Sequence, residues 1–290
     1  MKNLSLIEAK KILEVELGSK VDSIKDSSFG GDHLIFIAKI KKKMFVLRYS
    51  LRNKNSIAIQ KAVSESWREK DVKVPKTIIF NKKYLIEECI PGLDANAAKL
   101  SKTEKKKVFR ELGFQLRKMH SVRESGYGDF ISARKGRYKS WKSFCDIYFL
   151  KSLRGSLKKG RVSRAEYDNA REIYKNYSPH LKSFNKPTLL HGDLCLPNFM
   201  VDKGKFSGII DLADARCGDP LFDIGTLHQH TRDEDLIREL LRNYKKTDFN
   251  LIIFYAWLVS GKKVNSYNEK RWKKKKKQWD MFSRQLISQF

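Results

Sequence analysis

The stretch His191-Gly192-Asp193-Leu194-Cys195-Leu196-Pro197-Asn198 sets a carboxylate and an amide five positions apart, and a second carboxylate, Asp211, follows the next two apolar runs. Those runs, Phe199-Met200-Val201 and Phe206 to Ile210, flank Asp202-Lys203-Gly204-Lys205, which reads as a hairpin turn. With Lys203 and Gly204 at the centre of the turn, Asn198 lies opposite Ile209. Asp211, two residues further on, then shares the face of Asn198 as its diagonal neighbour. Two oxygens so placed suit one hard cation, Mg²⁺. Asp193, at the mouth of the same loop, can orient an attacking hydroxyl and accept its proton. One Asp for the nucleophile, with Asn and Asp for a metal that bridges nucleotide phosphates, is the division of labour that phosphoryl transfer needs. Alone, Asp193 and Asn198 would read as caps of an ordinary turn. The preceding His191-Gly192, the strand on each side and Asp211 on the deduced face favour chemistry. His191 itself reads as structural, tying the loop through a ring hydrogen bond.

These residues need a scaffold, and 290 residues give room for one large domain or two modest ones, at ~100 to 200 residues each. Hydrophobic residues make up 41% and aromatics 11%, enough for a packed core despite 32% charged positions. Before residue 90 the pattern is rich in strands: His33 to Ile40, Met44 to Tyr49, Ile78 to Phe80 and Tyr84 to Ile90. Two helical stretches, Leu6 to Leu17 with Ser5 and Glu8 spaced as a capping box, and Ile57 to Trp67, accompany them. After Pro91-Gly92, helical periodicity dominates, beginning with Val108, Leu112, Leu116 and Met119, and interrupted mainly between Thr188 and Ile210. The chain thus reads as an α+β protein of two lobes, 1–90 with a small antiparallel sheet and 91–290 mainly helical.

The string from His191 through Asp193 to Asn198, followed by Gly208-Ile209-Ile210-Asp211 and Gly218-Asp219-Pro220-Leu221-Phe222-Asp223-Ile224, resembles the aminoglycoside phosphotransferase and choline kinase group, with its protein-kinase-like fold. The resemblance covers most of the chain in order and is sharp over Leu190 to Gly225. It implies Asp193 as the catalytic Asp, Asn198 and Asp211 as Mg²⁺ ligands, and ATP or GTP as phosphoryl donor. It implies that Arg48, in Phe45-Val46-Leu47-Arg48, contacts the nucleotide phosphates, and that Glu88 to Ile90 form the hinge whose backbone meets adenine. The family's helix position for the cation's Glu partner falls near Gln60, with Glu65 further along, so the ion pair departs from the family pattern. Ser27-Ser28-Phe29-Gly30-Gly31-Asp32-His33 could cover phosphates through backbone N–H groups and the Ser27 and Ser28 hydroxyls, or form a plain hairpin turn.

For the acceptor, a small molecule with a hydroxyl, Cys195-Leu196-Pro197-Asn198 is similar to the aminoglycoside-modifying branch, which implies antibiotic resistance. Choline-like alcohols, homoserine, macrolides and sugars are alternatives. Asp233-Glu234-Asp235 could suit a cationic sugar, but Thr231-x-x-Glu234 also forms a capping box, the preferred reading. The Gly-rich basic stretch Ser125 to Trp141 reads as a loop near the acceptor. With 61 Lys plus Arg against 33 Asp plus Glu, the net charge of +28 argues mildly against a strongly cationic acceptor. No RGG, RNP-type or Cys/His finger pattern accompanies that charge, so a nucleic acid is not the expected partner, a basic binding protein on an inactive kinase fold being the competing class. Trp272, Trp279, Phe282 and Leu286 around Lys273 to Lys277 read as an amphipathic terminal helix with solvated lysines. No apolar run reaches the ~18 residues of a membrane span, and Cys89, Cys145, Cys195 and Cys217 are far apart, which fits a reducing cytoplasm without a zinc site.

Overall fold

The computed structural model describes residues 4–27, 33–51, 54–132 and 134–288. Helix α1 (Leu6–Leu17) begins at the expected capping box, Ser5 and Glu8 each accepting from the other's backbone N–H, and ends at Gly18 in the left-handed region. Strands β1 (Ser23–Asp26), β2 (His33–Ile40) and β3 (Lys43–Ser50) precede helix α2 (Lys54–Arg68), and β4 (Thr77–Phe80) and β5 (Tyr84–Glu88) complete an antiparallel sheet in the order β1-β2-β3-β5-β4. Leu13, Phe36, Leu47 and Ile86 form a small core between α1 and this sheet.

The second part begins with β6 (Leu93–Asp94) and α3 (Lys102–Met119), the latter opened by a Ser101–Glu104 capping box. The Ser125–Trp141 stretch differs from its sequence reading. It folds as the hairpin β7 (Tyr127–Ser132) and β8 (Lys135–Tyr138), and positive φ at Gly126 and Gly128 breaks the alternation from which a strand is read. Helix α4 (Trp141–Cys145) runs through a π turn into α5 (Lys151–Lys158), and α6 (Arg164–Ser183) leads to β9 (Thr188–Leu190). The hairpin β10 (Phe199–Asp202) and β11 (Lys205–Ile209), strand β12 (Arg216–Gly218), and helices α7 (Leu221–Thr231), α8 (Glu234–Leu241), α9 (Phe249–Ser266) and α10 (Glu269–Ile287) complete the order. Sheets β11-β10-β6 and β8-β7-β12-β9 frame the loop that carries Asp193. Asp233, rather than Thr231, caps α8, accepting from the Leu236 N–H at 3.1 Å, because Thr231 remains inside α7.

The larger core joins α3, α7, α9 and α10 to the apolar face of α2, with Ile59, Val63 and Trp67 packed into it. On α10, Trp279, Phe282 and Leu286 are buried and Trp279 stacks on Trp257, while Lys273, Lys274 and Lys277 stay exposed, as the amphipathic pattern requires. No helix among the described residues is long and apolar enough to cross a membrane.

His228 of α7 is only 2% exposed, set between Phe249 and Phe282, and neither ring nitrogen has a partner among the described residues. Burial holds its imidazolium pKa down at about 4, below the ordinary 6.5. The unfolded chain therefore takes up this proton first as pH falls, and stability is lost from pH 6.5 downward until the folded ring also titrates near pH 4. Urea unfolding at pH 7.5 and pH 5 should show wild type losing about 2 kcal/mol more than His228→Phe. Parallel losses in the two proteins would exclude His228 as the source.

Candidate active site

The β10–β11 hairpin closes through Lys203 and Gly204, both in the left-handed region as a two-residue type I′ turn requires. The register differs from the sequence expectation by one residue. Phe199, not Asn198, lies opposite Ile209, because a bulge leaves Ser207 as an extra residue on β11, where its hydroxyl donates to the Pro91 carbonyl at 2.7 Å. Asn198 instead takes the Ile210 N–H on its carbonyl at 2.9 Å. Strand alternation stops before Asp211, which adopts a left-handed conformation (φ 63°, ψ 69°). That twist, not the pleat, directs its carboxylate to within 3.6 Å of Arg48.

Around Asp193 the loop is held by its own backbone. The Asp193 N–H donates to Nδ1 of His191 at 3.3 Å, so the ring proton sits on Nε2, which donates to the Ile210 carbonyl at 2.9 Å. Asn198 Nδ2 donates to the Asp193 carbonyl at 2.9 Å. This sets the amide orientation and leaves Oδ1 without a partner among the described residues. Gly192 (φ 82°) passes so close to the Leu212–Asp214 turn before β12 that a Cβ would lie 2.0 Å from the Asp214 carbonyl oxygen.

Beneath the loop, Asp223 of α7 is fully buried and accepts from the His191 N–H at 2.7 Å, the Gly192 N–H at 2.9 Å and Nε2 of His120 at 3.2 Å. Burial alone would raise this carboxylate, but the His120 hydrogen bond and charge, with His191 and the loop amide, hold it below the usual range. Asp219 accepts from His180, the Tyr255 hydroxyl and the Leu221 N–H. Both acids lie in the stretch that carried the family resemblance, but their roles emerge only from long-range contacts.

Arg48 is 5% exposed and its Nε donates to Glu87 Oε1 at 2.7 Å. Neither Gln60 nor Glu65 is its partner. Gln60 is buried with Nε2 unpaired among the described residues, and Glu65 pairs with Lys61. The β3–β5 register explains the substitute: Arg48 faces Leu85, so Glu87 is its diagonal neighbour on the same face. Burial lowers the Arg48 pKa, yet Glu87 and Asp211 outweigh it and the guanidinium is held above its ordinary value. Removing one member of a buried pair costs about 3 to 5 kcal/mol. Glu87→Gln should therefore unfold at markedly lower urea concentration than wild type, and an unchanged midpoint would show that the pair does not hold this sheet together.

Asp193 and Asp211 both act on Asp214. Burial first, then the other two carboxylates, raise the Asp214 pKa against the opposing charge of Arg216. Such a concentration of negative charge, with Asn198 Oδ1 unpartnered among the described residues and Asp211 about half exposed, fits a divalent cation of the Mg²⁺ type. Arg216 is buried between Asp129 of β7 and the rings of Phe144, Tyr148 and Phe222. Of the remaining expected residues, the Ser27 N–H donates to Ile35 and closes the last rung of β1–β2, while Ser28 lies outside the described residues. Glu88 pairs with Phe45 and its N–H donates to Lys76, whereas the Ile90 N–H has no hydrogen-bond partner among the described residues.

Residues 36–252 match the family model described as "Phosphotransferase enzyme family". A 37-residue segment is 57% identical to a probable aminoglycoside 3'-phosphotransferase of Lactococcus lactis subsp. lactis, spanning 13% of this chain and 14% of that protein. Among solved structures, a thermostable mutant of aminoglycoside phosphotransferase APH(4)-Ia superposes with a TM-score of 0.69 at 16% identity, covering 95% of this chain and 98% of its own. A putative fructosamine-3-kinase from Thermobifida fusca gives a TM-score of 0.70 at 12% identity, covering 98% and 100%. The macrolide 2'-phosphotransferase MphH from Brachybacterium faecium gives 0.64 at 17%, covering 88% and 91%.

Proposed function

Because this chain belongs to the phosphotransferase enzyme family, we propose that it moves the γ-phosphoryl group of ATP, or GTP, to a hydroxyl of a small molecule in the cytoplasm. The observation that carries this reading is the Asp193 loop: a half-exposed carboxylate on a backbone fixed by His191, Asn198 and Asp223, beside a second carboxylate that answers Arg48. Asp193 orients the acceptor hydroxyl and takes its proton as the acceptor oxygen bonds to phosphorus and the bond to the nucleoside diphosphate breaks. Arg48, pinned by Glu87, positions the phosphates, the Ile90 N–H with Glu88 reads the base at the hinge, and Ser27 and Ser28 cover the phosphates. Asn198 and Asp211 would hold Mg²⁺, which neutralises phosphate charge when bound. In this reading residues 1–90 form the nucleotide lobe and 91–290 the catalytic and acceptor lobe.

An aminoglycoside acceptor draws support from the Lactococcus relative and from the APH(4)-Ia complexes with ADP or AMP-PNP and hygromycin B. Macrolide and fructosamine kinases of the same fold keep other alcohols, choline, homoserine and sugars among them, in contention. Supplying Mg-ATP with a hydroxyl library and measuring ADP tests the reading. RNA binding with a steep salt slope and no ADP from any member would instead indicate a binding protein on an inactive kinase fold.

A further inference from the structure

Next to Asp193 the charge turns positive. The Asp193 carboxylate, the Cys195 thiol and the His230 ring lie within 4.8 Å of one another. Immediately behind them Lys263 of α9 places Nζ 3.0 Å from His230 Nε2 and 2.9 Å from Gln229 Oε1. Both partners are neutral. Burial, and then Lys263 and Lys275, hold the His230 pKa down at about 3, so the ring accepts from the lysine and contributes no charge. Lys275 of α10 is half-buried near the same place. Burial, followed by Lys263, Arg232 and Lys274, brings its pKa down to about 8. Lys262, the neighbour of Lys263, lies 4.5 Å from the Tyr148 ring centroid.

Among the described residues no carboxylate lies within ion-pair distance of Lys262, Lys263 or Lys275, whereas adjacent Lys276 is paired with both Glu166 and Asp280. A half-buried ammonium loses hydration, and clustering adds repulsion, so such a group is stabilised when an anion arrives. Burial lowers the Lys263 pKa, against the opposing charges of Asp193 and Cys195. Lys263, in contact with the His230 ring that lies within 4.8 Å of the Asp193 carboxylate, is therefore set beside the group that receives the acceptor.

Resting on the phosphotransferase reading, we propose that the acceptor is an anionic alcohol, whose carboxylate or phosphate is held by Lys263 with Lys275 while its hydroxyl faces Asp193. A polyammonium acceptor would have to place its charges against the same lysines. This also gives the overall charge of +28 a local counterpart at the site.

The test is acceptor-dependent ADP release from Mg-ATP with four matched sets: sugar phosphates, sugar acids, the corresponding neutral sugars, and aminoglycosides. The expected result is a kcat/KM at least tenfold higher for an anionic member than for its neutral parent, the better of the two anionic sets identifying the group recognised. Lys263→Met should remove most of that advantage through the acceptor KM, and Lys263→Glu should reverse the ranking of anions and cations. Lys275→Met gives a milder version of the same shift, and the wild-type ranking decides the matter even where a variant does not fold. Best turnover with a neutral sugar or an aminoglycoside overturns the inference and leaves phosphoryl transfer standing. So does a Lys263→Met effect confined to the nucleotide KM. Mg-ATP binding without turnover of any anionic member also overturns it. Absence of both Mg-ATP binding and ADP release across all sets overturns the phosphotransferase reading itself.

Discussion

Asp193→Asn should lower kcat by roughly 10² to 10⁴ while leaving Mg-ATP affinity nearly intact. The substitution is confined to chemistry, because the loop is held through atoms that remain: the Asp193 N–H to His191, the Asp193 carbonyl to Asn198, and the neighbouring amides of His191 and Gly192 to Asp223. The asparagine amide can still accept a hydrogen bond from an alcohol, but it cannot take its proton at neutral pH. Single-turnover kinetics together with calorimetric titration of Mg-ATP separates the two effects. Retained turnover would show that another group accepts the proton.

Asp211→Asn should differ in kind. Position 211 has φ 63°, and asparagine is among the few residues that accept the left-handed region readily, so the backbone is not the cause of any loss. What changes is charge. A neutral amide is a poor substitute for a carboxylate on a hard cation, and among the described residues Arg48 keeps only Glu87 as an anionic partner. Mg²⁺-dependent nucleotide affinity should fall about tenfold or more, with turnover falling by 10² or more. Calorimetry with and without Mg²⁺ reads this directly. If Asp193→Asn and Asp211→Asn weaken nucleotide binding equally, the two carboxylates have been assigned the wrong way round or share one task.

Features set by local pattern were legible in the sequence. The Lys203-Gly204 turn, four of the five strands of the first sheet, the Ser5–Glu8 cap and the apolar face of α10 depend on residues near one another in the chain, and the structure places each where the pattern requires, while the short, largely exposed strand β1 carries no such pattern and is not legible there. The same is true of the His191 ring, tied to the Ile210 carbonyl. What escaped depends on pairing across distance. The Ser207 bulge is set by Pro91, more than a hundred residues away, and moved the hairpin register by one. Glu87 becomes the partner of Arg48 only once β3 is known to pair with β5, a pairing from which alternation could have found it. Asp223 and His120 meet across 103 positions. Lys262 and Lys263 sit in an otherwise apolar helix whose periodicity does not reveal which element their ammonium groups approach. Glycine in β7 hid a strand by removing the alternation that identifies one.

The buried Asp223 carboxylate has a consequence for motion. It joins α7, the end of α3 through His120, and the two amides that precede Asp193, and nothing in that cluster can separate without leaving an anion unsolvated in the core. The loop therefore has no cheap local opening of its own. Its amide protons at His191 and Gly192 should exchange with deuterium only in openings that carry α7 away from α3, and so at rates close to those of the central helices rather than of surface turns. Proton chemistry on a millisecond timescale would then take place on a loop that, hour by hour, is among the slowest parts of the molecule to open.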